Sequence, residues 1–230
     1  MIGIRTILSL AALFLTPFWA PPASAQVGFH GGINLTDLVG GGVGQSESRT
    51  GLNFGLGYDI LHLGALSLGP EIYYAQRGAE AFQALFPSPG DPSPGVPVLG
   101  PVDVALEYVE IPLVARLRLP LGDRFYSWVM GGPVFGWKLD CAVRGDPVAG
   151  SVEPDCDDLL SRDGLEAKVR SYEQGYFLGA ALGIDVLGGM GALTLDGRFI
   201  QGLTRLGEGD SGPDVKNRGF SLMLGYMLGL

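Results

Sequence analysis

From Gln26 onward the chain alternates apolar and polar residues with the period of two expected of strands that keep one dry face. Eight such segments follow one another. In the first, Val27, Phe29, Ile33 and Leu35 oppose His30, Asn34 and Thr36; in the second, Leu52, Phe54, Leu56, Tyr58 and Ile60 oppose Asn53, Gly55, Gly57 and Asp59. The third sets Leu66, Leu68, Ile72 and Tyr74 against Ser67, Glu71, Tyr73 and Arg77. The fourth, Leu106 to Pro120, sets Val109, Ile111, Leu113, Ala115, Leu117 and Leu119 against Tyr108, Glu110, Pro112, Val114, Arg116 and Arg118. The fifth, Phe125 to Leu139, is aromatic on both faces and leaves its facing open. In the sixth, Tyr176, Leu178, Ala180, Leu182, Ile184 and Val186 oppose Gly175, Phe177, Gly179, Ala181, Gly183 and Asp185. The seventh sets Leu193, Leu195, Phe199 and Leu203 against Thr194, Asp196 and Arg198, and the eighth sets Phe220, Leu222, Leu224, Tyr226 and Leu228 against Gly219, Ser221, Met223 and Gly225.

The connections separate a soluble sandwich from a membrane barrel, because outer-membrane barrels alternate short periplasmic turns with longer extracellular loops. The first, third, fifth and seventh connections run from about Asp37 to Thr50, Glu80 to Pro101, Asp140 to Arg170 and Arg205 to Lys216, and are polar and rich in Gly, Pro or acid. The others, around Leu63 to Ala65, Pro120 to Arg124 and Gly188 to Gly191, are short. Most segments have roughly ten or more residues, long for ordinary strands but right for crossing a bilayer at a tilt. The pattern predicts an eight-stranded antiparallel transmembrane β-barrel, with the apolar faces on lipid and the other faces inside. Pro112, mid-strand, is expected to cost a ladder bond unless a bulge absorbs it.

Composition sharpens this. Residues 1–25 have the form of a secretory signal: Arg5, an apolar run from Ile7 to Trp19, and the small-residue site Ala23-Ser24-Ala25. The barrel domain is then residues 26–230. No later segment is apolar for long enough to be a transmembrane helix, so an exported chain is left as a soluble periplasmic protein or an outer-membrane barrel. A net charge of -9 argues against nucleic acid as a partner. The two cysteines, Cys141 and Cys156, share an acidic stretch and are expected to form a local disulfide, worth roughly 3 kcal/mol in the chain-entropy picture.

Several stretches carry a resemblance: G-F-H-G-G-I-N-L-T-D-L, L-S-L-G-P-E-I-Y-Y-A-Q-R-G-A, L-E-Y-V-E-I-P-L-V-A-R-L-R, G-G-P-V-F-G-W, D-G-R-F-I-Q-G-L-T and K-N-R-G-F-S-L-M-L-G-Y. Through them essentially the whole mature chain resembles the PorT-like outer-membrane β-barrel proteins, small barrels abundant in Bacteroidetes-type bacteria. The E-I-P triplet after an aromatic residue is similar to that family's own habit. The resemblance implies a fold and a location in the outer membrane of a Gram-negative-type bacterium far more than any activity.

Alternation turns Glu71, Arg77, Glu110, Arg116, Arg118, Asp185, Asp196 and Arg198 inward, with both signs of charge. Two readings follow: a salt-bridged plug, since eight strands enclose little beyond side chains, or a small porin-like hydrophilic channel or ligand cleft opened by Gly55, Gly57, Gly175, Gly179 and Gly183. Of the histidines, His30 falls inside and His62 by a periplasmic turn, away from the outer leaflet where a Ser/His/acid set of a lipid hydrolase would sit. Asp146, Glu153, Asp155, Asp157 and Asp158 follow no recognised calcium-loop spacing and are read as a solvated acidic loop. Phe82, Leu85 and Phe86 are expected at the outer-leaflet interface. The expectation is a non-enzymatic protein without cofactor, metal or catalytic residue, whose partners are outer-membrane lipid and, through its loops, cell-surface or envelope proteins. A small pore for ions or small solutes and a soluble periplasmic barrel binding an apolar ligand remain as alternatives.

Overall fold

The computed structural model describes residues 26–41, 43–86, 96–97, 102–122, 124–144, 169–186, 191–207 and 214–228. Its strands are β1 (Gln26–Val39), β2 (Val43–Asp59), β3 (Leu61–Leu63), β4 (Leu66–Phe86), β5 (Val96–Pro97), β6 (Val102–Pro120), β7 (Phe125–Arg144), β8 (Tyr172–Val186), β9 (Gly191–Gly202) and β10 (Lys216–Leu228). The eight long strands close into an antiparallel ring: β2 pairs with β1 and β4, β4 with β6, the order then follows the chain to β10, and β10 returns to β1. β3 continues β2 along β4, and β5 lies against the upper end of β4.

Carried round the ring, the register takes Val27 to Tyr58, Pro70, Leu113, Pro133, Tyr176, Gln201, Arg218 and then Asp37, ten residues along the strand it left. A stagger of ten over eight strands tilts them by roughly 40°. The lipid-facing run on β6 extends from Val109 to Leu119 and is matched on every strand, with Leu113, Leu178 and Leu224 at 48%, 61% and 70% exposure. At that tilt the belt is roughly 25 Å tall, the thickness such a barrel needs. Above it the first outward polar residues are Asp37, Thr50, Gln76, Glu107, Asp140, Gln174, Gln201 and Arg218.

The strands do not stop together. β1, β8, β9 and β10 end within a few residues of that polar row, whereas β2, β4, β6 and β7 rise well beyond it. The long first connection expected from Asp37 to Thr50 is therefore mostly strand: β1 continues to Val39 and β2 restarts at Val43. Its polarity comes from standing in water, and polar residues on a solvated strand look like loop in sequence.

In the raised section the pattern inverts. Leu38, Ala79, Phe82, Val102, Val104, Leu106, Tyr108, Val169, Leu206 and Val215 form one buried apolar cluster inside the barrel mouth. Two bulges build it. On β4 the register slips between Ala79 and Phe82, where Ala81 takes φ 49° and its N–H is accepted by Asp103 Oδ1 at 3.2 Å. The slip changes the strand's phase and turns Phe82 inward, where it is fully buried. This corrects the expectation that Phe82 rests on the outer leaflet; the side chains of Leu85 and Phe86 lie outside the described residues. On β7 an extra residue between Lys138 and Asp140 opposes Glu107 and Tyr108 and swings Cys141 and Val143 against the same cluster.

Pro112 is accommodated without a bulge. The β4–β6 and β6–β7 ladders each leave two pairs unmade beside it and resume in unchanged register. The facing of β7 is also settled: Trp128, Met130 and Val134 point inward, and Phe125, Val129 and Leu139 outward.

Candidate functional site

The closed ring gathers on its inner face most of the charged residues that alternation turned inward. Glu71, on β4, is fully buried and accepts from two guanidinium groups, Arg116 of β6 and Arg198 of β9. Arg116 also bonds Asp59 at the lower end of β2, whose second oxygen accepts the Ser67 hydroxyl at 2.7 Å. Arg198 is held from its own strand by Asp196, with Nε and Nη2 at 3.0 and 2.6 Å, and its guanidinium lies 5.4 Å from the Tyr73 ring centre and 5.1 Å from that of Phe177. The result is one chain, Asp59–Arg116–Glu71–Arg198–Asp196, across strands that alternation alone could not place side by side. A buried guanidinium or carboxylate is tolerable only when paired in this way.

A second pair lies above. Arg77 meets Glu110 at 2.5 and 2.8 Å, and Glu173 of β8 accepts from Asn217 Nδ2 at 2.6 Å, which also approaches the Tyr108 hydroxyl at 3.4 Å. Between these layers Asn34 accepts from Asn53 at 2.8 Å and Ser221 at 2.5 Å, and His30 Nδ1 lies 3.1 Å from the Tyr73 hydroxyl. Trp128, Met130, Val134 and Phe177 fill the opposite wall.

Six of the eight anticipated charges thus fall in the buried interior. Arg118 and Asp185 sit half-exposed toward the periplasmic end, where the Arg118 guanidinium stacks 4.1 Å over the Tyr126 ring and the Asp185 N–H bonds the Arg124 carbonyl at 2.8 Å. Asp59 and Glu173 complete the networks and were missed as members, although each shares the parity of its strand's inner face. Cys141 packs against the apolar cluster of the mouth; Cys156 and the acidic residues of the same connection, Asp146, Glu153, Asp155, Asp157 and Asp158, lie outside the described residues, as does the expected signal segment 1–25.

The inward glycines do not open a channel. A Cβ at Gly55 would fall 2.6 Å from the Tyr73 ring, and one at Gly183 would fall 2.7 Å from that of Trp128; Glu71 and Arg198 lie over Gly57 and Gly179 in the same manner, and Gly175 abuts the Gln201 carbonyl. They are sockets for large inward side chains. The space left among these groups amounts to cavities of about 20 Å³ beside Asn34, Glu110 and Arg198 and about 10 Å³ beside Arg77 and Glu173. Each has room for about one water molecule. Above them the apolar cluster closes the mouth around a void of about 10 Å³.

The sequence profile described as Outer membrane protein beta-barrel domain matches residues 19–207, more than four fifths of the chain. No curated protein matches the sequence. Among solved structures, the chain is similar to Neisserial surface protein A, at 10% identity and TM-score 0.44 over 90% of this chain and 98% of that one. It is also similar to the attachment invasion locus protein Ail of Yersinia pestis, at 13% and 0.42 over 89% and 99%, and to OprG of Pseudomonas aeruginosa, at 10% and 0.44 over 89% and 95%.

Proposed function

The chain belongs to the outer membrane protein beta-barrel domain family and resides in the outer membrane of a Gram-negative-type bacterium, and from that premise we propose that it is a closed, non-enzymatic barrel that acts through its extracellular surface. One observation carries this reading: the interior is filled from the Asp59 end to the mouth, first by paired charge and then by an apolar plug, and the cavities beside its buried charges hold about 20 and 10 Å³. A conducting lumen needs a continuous column of water, and an apolar constriction of this kind repels one. The placement of the histidines supports the non-enzymatic part, since His30 is buried against Tyr73 and His62 lies beside the turn at Gly64, both far from the outer leaflet. What then faces the exterior is the raised wall of β2, β4, β6 and β7. The PorT-like branch is supported by the stretches that carry that resemblance, the cleaved signal by residues 1–25, and a Cys141–Cys156 link by the two cysteines of the chain.

Single-channel recording tests the reading. The mature barrel, refolded in detergent and verified by its heat-dependent gel shift, is expected to remain silent in a planar bilayer. Reproducible openings that change on Arg116→Gln would make it a pore.

A further inference from the structure

We propose that the β9–β10–β1 sector of the outer rim binds the phosphates of an outer-leaflet lipid headgroup through Arg205, Lys216 and Arg218. Depth is the first argument. On this side the strands end close to the top of the lipid-facing belt, and Arg218 is the first outward residue above Phe220, with Lys216 the next. The cations therefore stand at headgroup level. Beneath them Phe199 and Phe220, at 40% and 46% exposure, offer an apolar footing for acyl chains. A lipid laid along this wall meets hydrocarbon below and guanidinium above, in the order its own structure presents them.

The distribution of charge is the second argument. Across the barrel, where the wall rises above the membrane, the outward groups include the carboxylates Glu47, Glu80 and Asp103, with Arg144 opposite Asp103. Cations gather where the strands stop at the headgroups. They are also loosely held: Arg205 and Lys216 share Asp214 at 3.2 and 3.5 Å, and Arg218 reaches Asp37 at 3.6 Å, with the three cation side chains a third to a half exposed. Among the described residues, three cations share two carboxylates. Exposed ion pairs of this kind contribute little, whereas a phosphate accepts parallel bonds from a guanidinium. Exchanging Asp37 and Asp214 for phosphate is therefore favourable at a surface crowded with phosphate.

Titration of the folded full-length mature barrel with diphosphorylated lipid A, read by native mass spectrometry, tests the site against dephosphorylated lipid A. The triple variant R205Q/K216Q/R218Q is expected to weaken binding of the phosphorylated form about tenfold while keeping the gel shift, since each cation near an anionic surface contributes about a fivefold factor before its carboxylate partner is discounted. The pair D37N/D214N, which frees the cations, is expected to tighten it about threefold. Millimolar inorganic phosphate is expected not to displace the lipid. Equal binding of the two lipid forms, unchanged affinity in both variants, or full displacement by inorganic phosphate would each overturn the proposal.

Discussion

Within the membrane the barrel keeps its charges inside, against one apolar wall, and is apolar outside; above the membrane it is apolar inside and polar outside. The change can be followed along β6 alone. Val102, Val104 and Leu106 point inward with Asp103 and Glu107 outward, and then, past Tyr108, Glu110 and Arg116 point inward with Val109 to Leu119 outward. The backbone geometry and the inward parity are the same in both halves of this strand. Only the solvent on the outer face has changed, and with it the kind of residue that can be left outside. In lipid the apolar side chains need no burial, so the interior can hold Glu71 between two arginines; in water the same strand must hide its leucine and valines, and the hidden residues become the plug.

This contrast can be broken at graded cost. The largest effect is expected from Glu71→Leu, which leaves Arg116 and Arg198 short of their shared partner: about 3–5 kcal/mol of lost stability, measured by urea unfolding in micelles. Phe82→Ala, in the raised section, should cost roughly 3–4 kcal/mol if that section is a true core and far less if Phe82 only decorates a loop. Charge placed outward distinguishes the zones directly. Leu113→Arg, facing lipid, is expected to cost about 2–4 kcal/mol, and the glycine-socket change Gly183→Val about 1–3 kcal/mol through Trp128. Glu80→Lys, outward in water and directly opposite Glu47, should leave stability within about 1 kcal/mol and raise it, because it replaces a like-charge cross-strand pair with an opposite one. A cost at position 80 comparable to that at position 113 would show that the membrane reaches higher than the polar row indicates.

Much of this was legible in the sequence because alternation is local. The eight membrane-crossing segments, the lipid-facing sides of all but the fifth, and the inward parity of Glu71, Glu110, Arg116, Asp196 and Arg198 follow from counting in twos. What counting could not supply was partnership across strands: nothing near Glu71 in the chain announces Arg198 as its neighbour, because that contact depends on the ring's stagger. The raised section was missed for a different reason. A single extra residue at Ala81 or Leu139 flips the phase, so Phe82 and Cys141 fall on the wrong face of any uninterrupted count. The glycines misled in the opposite direction, since an absent side chain suggests space and only the structure shows which ring fills it.

The pairing of β1 with β10 has a consequence in time. Val27 lies against Leu228, so the first strand to be made finds its second neighbour only when the last has been completed. Until then β1 and β10 each present an unsatisfied edge that neither lipid nor the periplasm can leave bare for long. Loop closure over nearly the whole chain is slow, and the waiting strands carry apolar residues at most alternate positions. The interval between export and closure is therefore the most hazardous stage in the life of this protein, and an escort that shields those two edges would protect it then.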